Sequence, residues 1–297
     1  MKRYLNVDLP KAMKEFEVAL KKMVATRIVG HYQSLFRGKG LEFDAYRNYL
    51  PSTDDAGRID WKASARANEL LIREYIEERD VQVFFVIDVS SSMVFGSSEK
   101  IKNEYALEMI AALANLILKA GDRVGFLIFN DKIVKLRMPA PGQRQFFILS
   151  KALLNPEIYG GGYDLRNVLK FLSGALPSGV SLVLIVSDFI GPRDWNRELR
   201  ILNKKVETVG IMISDPRDRT LPDDAQQVVV GDPFSDRTEL IDPSLIKARY
   251  EKYAQQQETE IINAFKEAGC DFLKLSTDKS FIIPLAGFFK MRAGKRR

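Results

Sequence analysis

Histidine and cysteine are almost absent from this 297-residue chain, which has one of each, His31 and Cys270. A lone cysteine excludes an intramolecular disulfide and a cysteine-rich zinc site. A lone histidine excludes two-histidine metal sites and the HExxH helix of metalloproteases, and any Ser-His-Asp triad would have to run through His31. Long apolar runs are missing as well. No stretch reaches the roughly 18 to 20 consecutive apolar residues of a membrane span, and the most apolar helical stretch, Tyr105 to Leu118, is interrupted by Glu108 and Asn115. The N-terminus carries acids and no apolar core, unlike a signal peptide, so the expected compartment is the cytoplasm. The formal charge of +6 is local: Lys2, Arg3, Arg292, Lys295, Arg296 and Arg297 account for it, and the body between them is neutral. That distribution predicts a solvated basic tail over 293–297 and no nucleic-acid surface.

What is present is core material, 46% of residues being hydrophobic, in a pattern that changes along the chain. Leu9, Met13, Phe16, Leu20 and Met23 recur at helical spacing and predict an amphipathic helix over 9–26. Residues 28–78 are rich in Gly, Arg, Asp and aromatics and show little periodicity. From Val81 onward, short apolar runs alternate with helical patterns. Strands are expected at 81–88, 123–129, 133–138, 181–186, 206–213 and 271–275, with helices at 99–120, 143–154, 164–176, 193–205, 243–268 and 280–290. Runs apolar on both faces, alternating with helices, predict an α/β domain: a doubly wound, mostly parallel sheet with helices on both faces over 81–292. Residues 1–80 are expected to pack on it as an N-terminal segment.

Ligands of such sheets bind beyond the carboxyl ends of the strands. There the chain places Asp88-Val89-Ser90-Ser91-Ser92 after one apolar run and Ser187-Asp188 after another, with Gly160-Gly161-Gly162-Tyr163-Asp164 opening a helix between them. Two carboxylates and two alternate hydroxyls make an oxygen-only site, the ligand chemistry of a hard cation such as Mg²⁺. Serine-rich turns and helix caps explain the same letters without a ligand. Gly38 and Gly40 suit an irregular loop, since neither GxxxxGK[ST] nor GxGxxG after a strand is present.

This pattern resembles the metal-ion-dependent adhesion site of von Willebrand factor A domains. The resemblance implies a Mg²⁺ or Mn²⁺ ion held by Asp88, Ser90, Ser92 and Asp188, with a partner's carboxylate completing its coordination. Where that family has Thr this chain has Tyr163, followed by Asp164. A phenol oxygen reaches several ångströms further than a threonine hydroxyl. Either a water or Asp164 fills the gap, or affinity falls, or the site works without metal. A further series, Gly38 to Phe43, Arg47-Asn48-Tyr49-Leu50-Pro51, Asp54-Asp55, Arg58 to Arg66 and Arg73-Glu74-Tyr75, is similar to the signature of the domain of unknown function 58 family. Asp215-Pro216-Arg217-Asp218, Tyr250 and Thr277-Asp278 agree with it. Members of that family are von Willebrand A-like proteins commonly encoded beside MoxR-type AAA+ ATPases.

Within the signature, Arg47, Asp60, Trp61 and Arg66 suit a buried polar network pinning the N-terminal segment, rather than catalysis. The function this implies is a non-enzymatic binding module that engages an acidic residue of a protein partner, a MoxR-type ATPase or its client, during assembly or maturation. The alternatives are a phosphatase-like hydrolase with Asp88 as nucleophile, and a metal-free scaffold. Against the hydrolase, Ser90 stands where a second aspartate would serve as acid and base, and no GxSxG elbow is present.

Overall fold

A computed structural model describes residues 5–24, 42–51, 54–76, 81–223, 226–235 and 237–295; His31, Gly38, Gly40 and the last two arginines lie outside them. The elements begin with α1 (Leu9–Val24), β1 (Glu42–Asn48), α2 (Trp61–Ala67), β2 (Leu71–Ile76), β3 (Gln82–Asp88) and α3 (Lys102–Lys119). There follow β4 (Arg123–Phe129), β5 (Ile133–Ala140), α4 (Gln143–Leu153), α5 (Leu165–Ala175), β6 (Val180–Ser187) and α6 (Asn196–Lys205). The chain closes with β7 (Glu207–Ser214), β8 (Val228–Gly231), β9 (Thr238–Ile241), α7 (Pro243–Glu267), β10 (Asp271–Ser276) and α8 (Ile282–Lys295).

Six strands form one sheet in the order β10-β7-β6-β3-β4-β5, parallel except for the edge strand β5. The central strand β3 is apolar on both faces because both faces are covered. Phe84 and Val86 join a core with Leu169 and Leu172 of α5, Leu199 and Leu202 of α6, and Phe265 of α7. By alternation Val83, Phe85 and Ile87 face the other layer, where α3 packs with α1 and α4, and α1 also meets α8. Each such phenylalanine contributes about 1.5–3 kcal/mol by leaving water. Helix α3 is buried along nearly its whole length, and its acids have a use there. Glu104 accepts Asn6 N–H at 2.7 Å and Glu108 accepts Asp8 N–H at 2.6 Å, fixing the start of α1.

The chain runs from β3 outward through β4 to β5, then returns to β6 on the opposite side of β3. The carboxyl ends of β3 and β6 therefore flank the topological switch point, the crevice where such sheets bind ligands.

Two compact units are present, Met1–Leu35 with Gln82–Arg297, and Phe36–Val81. The segment read as one block over 1–80 thus divides, α1 belonging with the sheet. In the smaller unit β1 and β2 pair antiparallel, a hairpin the sequence reading did not resolve. Asp60 caps α2, accepting the N–H groups of Lys62 and Ala63 at 3.1 Å. Tyr46 donates to the other Asp60 oxygen at 3.1 Å, and Arg47 grips Asp54 through two bonds of 2.6 and 2.7 Å. The expected burial of the whole signature is corrected: Trp61 is 68% exposed and Arg66 is also exposed. Helix α2 buries only Ser64, so its first residue has no layer of the unit to cover it.

Two further readings change. The loop rich in Asp and Pro before α7 contains a short antiparallel hairpin, β8 with β9. The C-terminal residues 293–295 belong to α8, and Arg292, counted with the solvated tail charges, is 7% exposed and pairs with Glu207 and Asp271. Among the described residues no helix is long and apolar enough to cross a membrane.

Candidate functional site

Adjacent parallel strands end level with one another, which sets Asp88, the last residue of β3, beside Ser187, the last of β6. Ser187 Oγ donates to Asp88 Oδ2 at 2.6 Å. The other carboxylate oxygen accepts Ser90 N–H at 2.8 Å, so the chain turns at once into a single 3₁₀ turn over Ser91–Val94. That turn brings the alternate hydroxyls together: Ser90 Oγ lies 3.1 Å from Ser92 Oγ, and Ser92 Oγ donates to Asp188 Oδ1 at 3.0 Å. Asp188 Oδ1 also accepts Ile190 N–H at 2.9 Å. Asp88, Ser90, Ser92 and Asp188, named from the sequence, are buried in one continuous hydrogen-bonded cluster. The residue after Asp188, Phe189, holds φ 56°, a conformation that a phenylalanine adopts only where its surroundings compel it. Its ring is locked against Trp195, Phe265 and Phe272.

The sequence reading missed the cluster's cation. Lys102, the first residue of α3, is 1% exposed, and its Nζ lies 2.6 Å from Asp188 Oδ2 and 3.1 and 3.3 Å from the Asp218 oxygens. The Phe95 ring covers it, with Nζ 5.5 Å from the centroid. Burial alone would lower the pKa of this ammonium, but Asp188 and Asp218 outweigh burial and raise it. A signal was available: a lysine at a helix N-terminus opposes the helix dipole, so its placement there asks for a carboxylate. The partners lie far along the chain, which is why local pattern did not find them.

Tyr163 and Asp164 have different fates. Asp164 caps α5, accepting Asn167 N–H at 2.9 Å and Asn167 Nδ2 at 2.5 Å, and that cap engages both its oxygens. The Tyr163 ring is buried against Phe129 and against Gly191, where φ is +137° and an added Cβ would come within 2.6 Å of Tyr163 Cδ1. Its hydroxyl is enclosed with no hydrogen-bond partner among the described residues. Burial, followed by the Asp88 charge, holds its pKa well above that of ordinary tyrosine.

Charge shows what the cluster lacks. Asp188 and Asp218 share the ammonium of Lys102, and Asp88 stands beside Asp188 without a cation of its own among the described residues. The deficit falls on Asp88, whose pKa is raised to about 7, first by burial and then by Asp188. Asp218 is also raised, by burial, in spite of Lys102. Among the described residues no three His, Cys, Asp or Glu side chains gather to hold a metal ion, so a cation here depends on the hydroxyls. They suit one. Neighbouring oxygens around an octahedral ion with bonds of about 2.1 Å stand about 3 Å apart, and Ser90 Oγ and Ser92 Oγ are 3.1 Å apart. With its net negative charge and the orphaned Tyr163 hydroxyl, the donor set fits a divalent cation.

A second aspartate hub stands further along the same sheet edge. Asp215, following β7, accepts Ser97 N–H at 2.8 Å, Ser97 Oγ at 2.5 Å, Thr277 Oγ1 at 2.7 Å and Arg217 N–H at 2.9 Å. Burial would raise its pKa, but these donors outweigh burial and lower it. Asp215 and Thr277, two of the signature residues, are thereby explained as an anchor.

The family described as "Protein of unknown function DUF58" matches residues 45–260. The uncharacterized protein Rv1480 of Mycobacterium tuberculosis is 30% identical, the alignment covering 97% of this chain and 92% of that protein. Similar solved structures include the conserved hypothetical protein BatB from Bacteroides thetaiotaomicron, with a TM-score of 0.47, 10% identity, and coverage of 72% of this chain and 99% of that one. Another is a von Willebrand factor type A protein from Catenulispora acidiphila, with a TM-score of 0.38, 12% identity, and coverage of 75% and 44%. The chain belongs to the DUF58 family.

Proposed function

We propose that this DUF58 protein is a non-enzymatic binding module whose strand-end cluster holds Mg²⁺ or Mn²⁺ and engages an acidic residue of a protein partner. The observation that carries the reading is a buried cluster of hydroxyls and carboxylates, short of positive charge, at the switch point of the sheet. Asp88, Ser90 and Ser92 would hold the ion, with Asp188 orienting the Ser92 hydroxyl through the bond already present. When bound, the ion supplies positive charge with an open coordination position for a carboxylate. The interaction adds a charge-assisted contact to a wider interface.

A hydrolase at the same place is less well supported. Ser90 stands where a phosphatase using Asp88 as nucleophile would carry its second aspartate as acid and base. The body carries no net positive charge to draw in nucleic acid. By the family resemblance, the partner is a MoxR-type AAA+ ATPase or its client in the cytoplasm, and the task is assembly or maturation. The test is capture of a MoxR-type ATPase by the wild type and by Asp88→Ala, in Mg²⁺ and in EDTA. Capture in Mg²⁺ alone, lost in the variant while its circular dichroism is retained, is expected. Undiminished capture by Asp88→Ala would sink the reading.

A further inference from the structure

Lys102 brings to the cluster an ammonium that adhesion-type coordination does not call for. It occupies a costly place: a fully enclosed ammonium at a helix N-terminus, where both desolvation and the helix dipole disfavour it. It is retained there by Asp188 at 2.6 Å and Asp218 at 3.1 Å, and roofed by Phe95. Asp188 is consequently satisfied before any ion arrives, one oxygen by Lys102 and the other by Ser92 Oγ and Ile190 N–H.

We propose that Lys102 is a resident cation of the strand-end site, a positioning residue that holds Asp188 in the outer shell of the divalent ion and keeps the metal-free site folded. The inference rests on the metal-site reading given above. With Asp188 already matched by an ammonium, the bound ion keeps positive charge for an incoming carboxylate, and its affinity is restrained so that the partner completes the site. Asp218 ties the same ammonium to the turn after β7, and Tyr250 Oη braces that turn by donating to Arg217 O at 3.0 Å.

The test compares the wild type with Lys102→Gln and with Lys102→Gln/Asp218→Asn, which deletes one charge of each sign and protects against a fold lost to unpaired carboxylates. Melting midpoints in EDTA and in Mn²⁺, and Mn²⁺ affinity by calorimetry, are read for all three. Lys102→Gln is expected to melt lower in EDTA and to regain most of the loss in Mn²⁺. Lys102→Gln is expected to bind Mn²⁺ about tenfold more tightly than the wild type, because a nearby positive charge has been removed, and the double variant, which loses a negative charge as well, more tightly by a smaller factor. A lysine that merely fills space would lower the midpoint equally with and without Mn²⁺. Unchanged or weaker Mn²⁺ binding in both variants, with the wild type binding normally, overturns the inference and leaves the metal-site reading standing. Absence of Mn²⁺ binding in all three proteins overturns both.

Discussion

Two aspartates stand near strand ends of the same sheet, both buried, and their carboxyls shift in opposite directions. Asp215 has four donors, from Ser97, Arg217 and Thr277, and its carboxyl falls below the ordinary range. Asp88 has two, from Ser90 and Ser187, and burial first, then Asp188 beside it, raise it to about 7. Hydrogen bonds to a carboxylate stabilise its charged form; a neighbouring carboxylate opposes it. The comparison separates an anchor from a site. Asp215 is electrostatically complete within the protein, whereas the Asp88 cluster has a deficit that an external cation can fill.

That contrast can be broken at either end. The largest effect is expected from Asp215→Ala, which strands the Ser97 and Thr277 hydroxyls and two N–H groups; a loss of about 3 kcal/mol or more in urea denaturation is expected, independent of divalent ions. A change under about 0.5 kcal/mol, the level of an ordinary surface substitution, would show that Asp215 is no anchor. Asp88→Asn removes a charge that repels Asp188, so in EDTA it is expected to leave stability within about 1 kcal/mol of the wild type. The same variant is expected to lose any stabilisation by Mg²⁺. If it were as damaging in EDTA as Asp215→Ala, the two clusters would be equivalent and the distinction would fail.

Much of this arrangement was legible in the sequence. The apolar runs ending at Asp88 and before Asp188 place both acids at strand ends, and alternate spacing brings Ser90 and Ser92 to one side. These are local patterns, and periodicity reads them well. What escaped depends on contacts between distant residues. Lys102 and its two carboxylates are separated by 86 and 116 positions. Arg292 read as part of a basic tail because nothing near it in sequence reveals Glu207 or Asp271. Asp164, a candidate ligand, is also the cap of α5 through its bonds to Asn167, a second role that the same letters allow. The hairpin β8–β9 escaped because a two-stranded ribbon with exposed faces needs no strict apolar alternation.

The central claim is that the Asp88 cluster takes a divalent ion. Its most direct test is calorimetric titration of the metal-free protein with Mg²⁺ and Mn²⁺, with Asp88→Ala in parallel. The account predicts saturable binding of one ion per chain by the wild type and none by the variant. Equal heats from the two proteins, or no binding by the wild type, would contradict it.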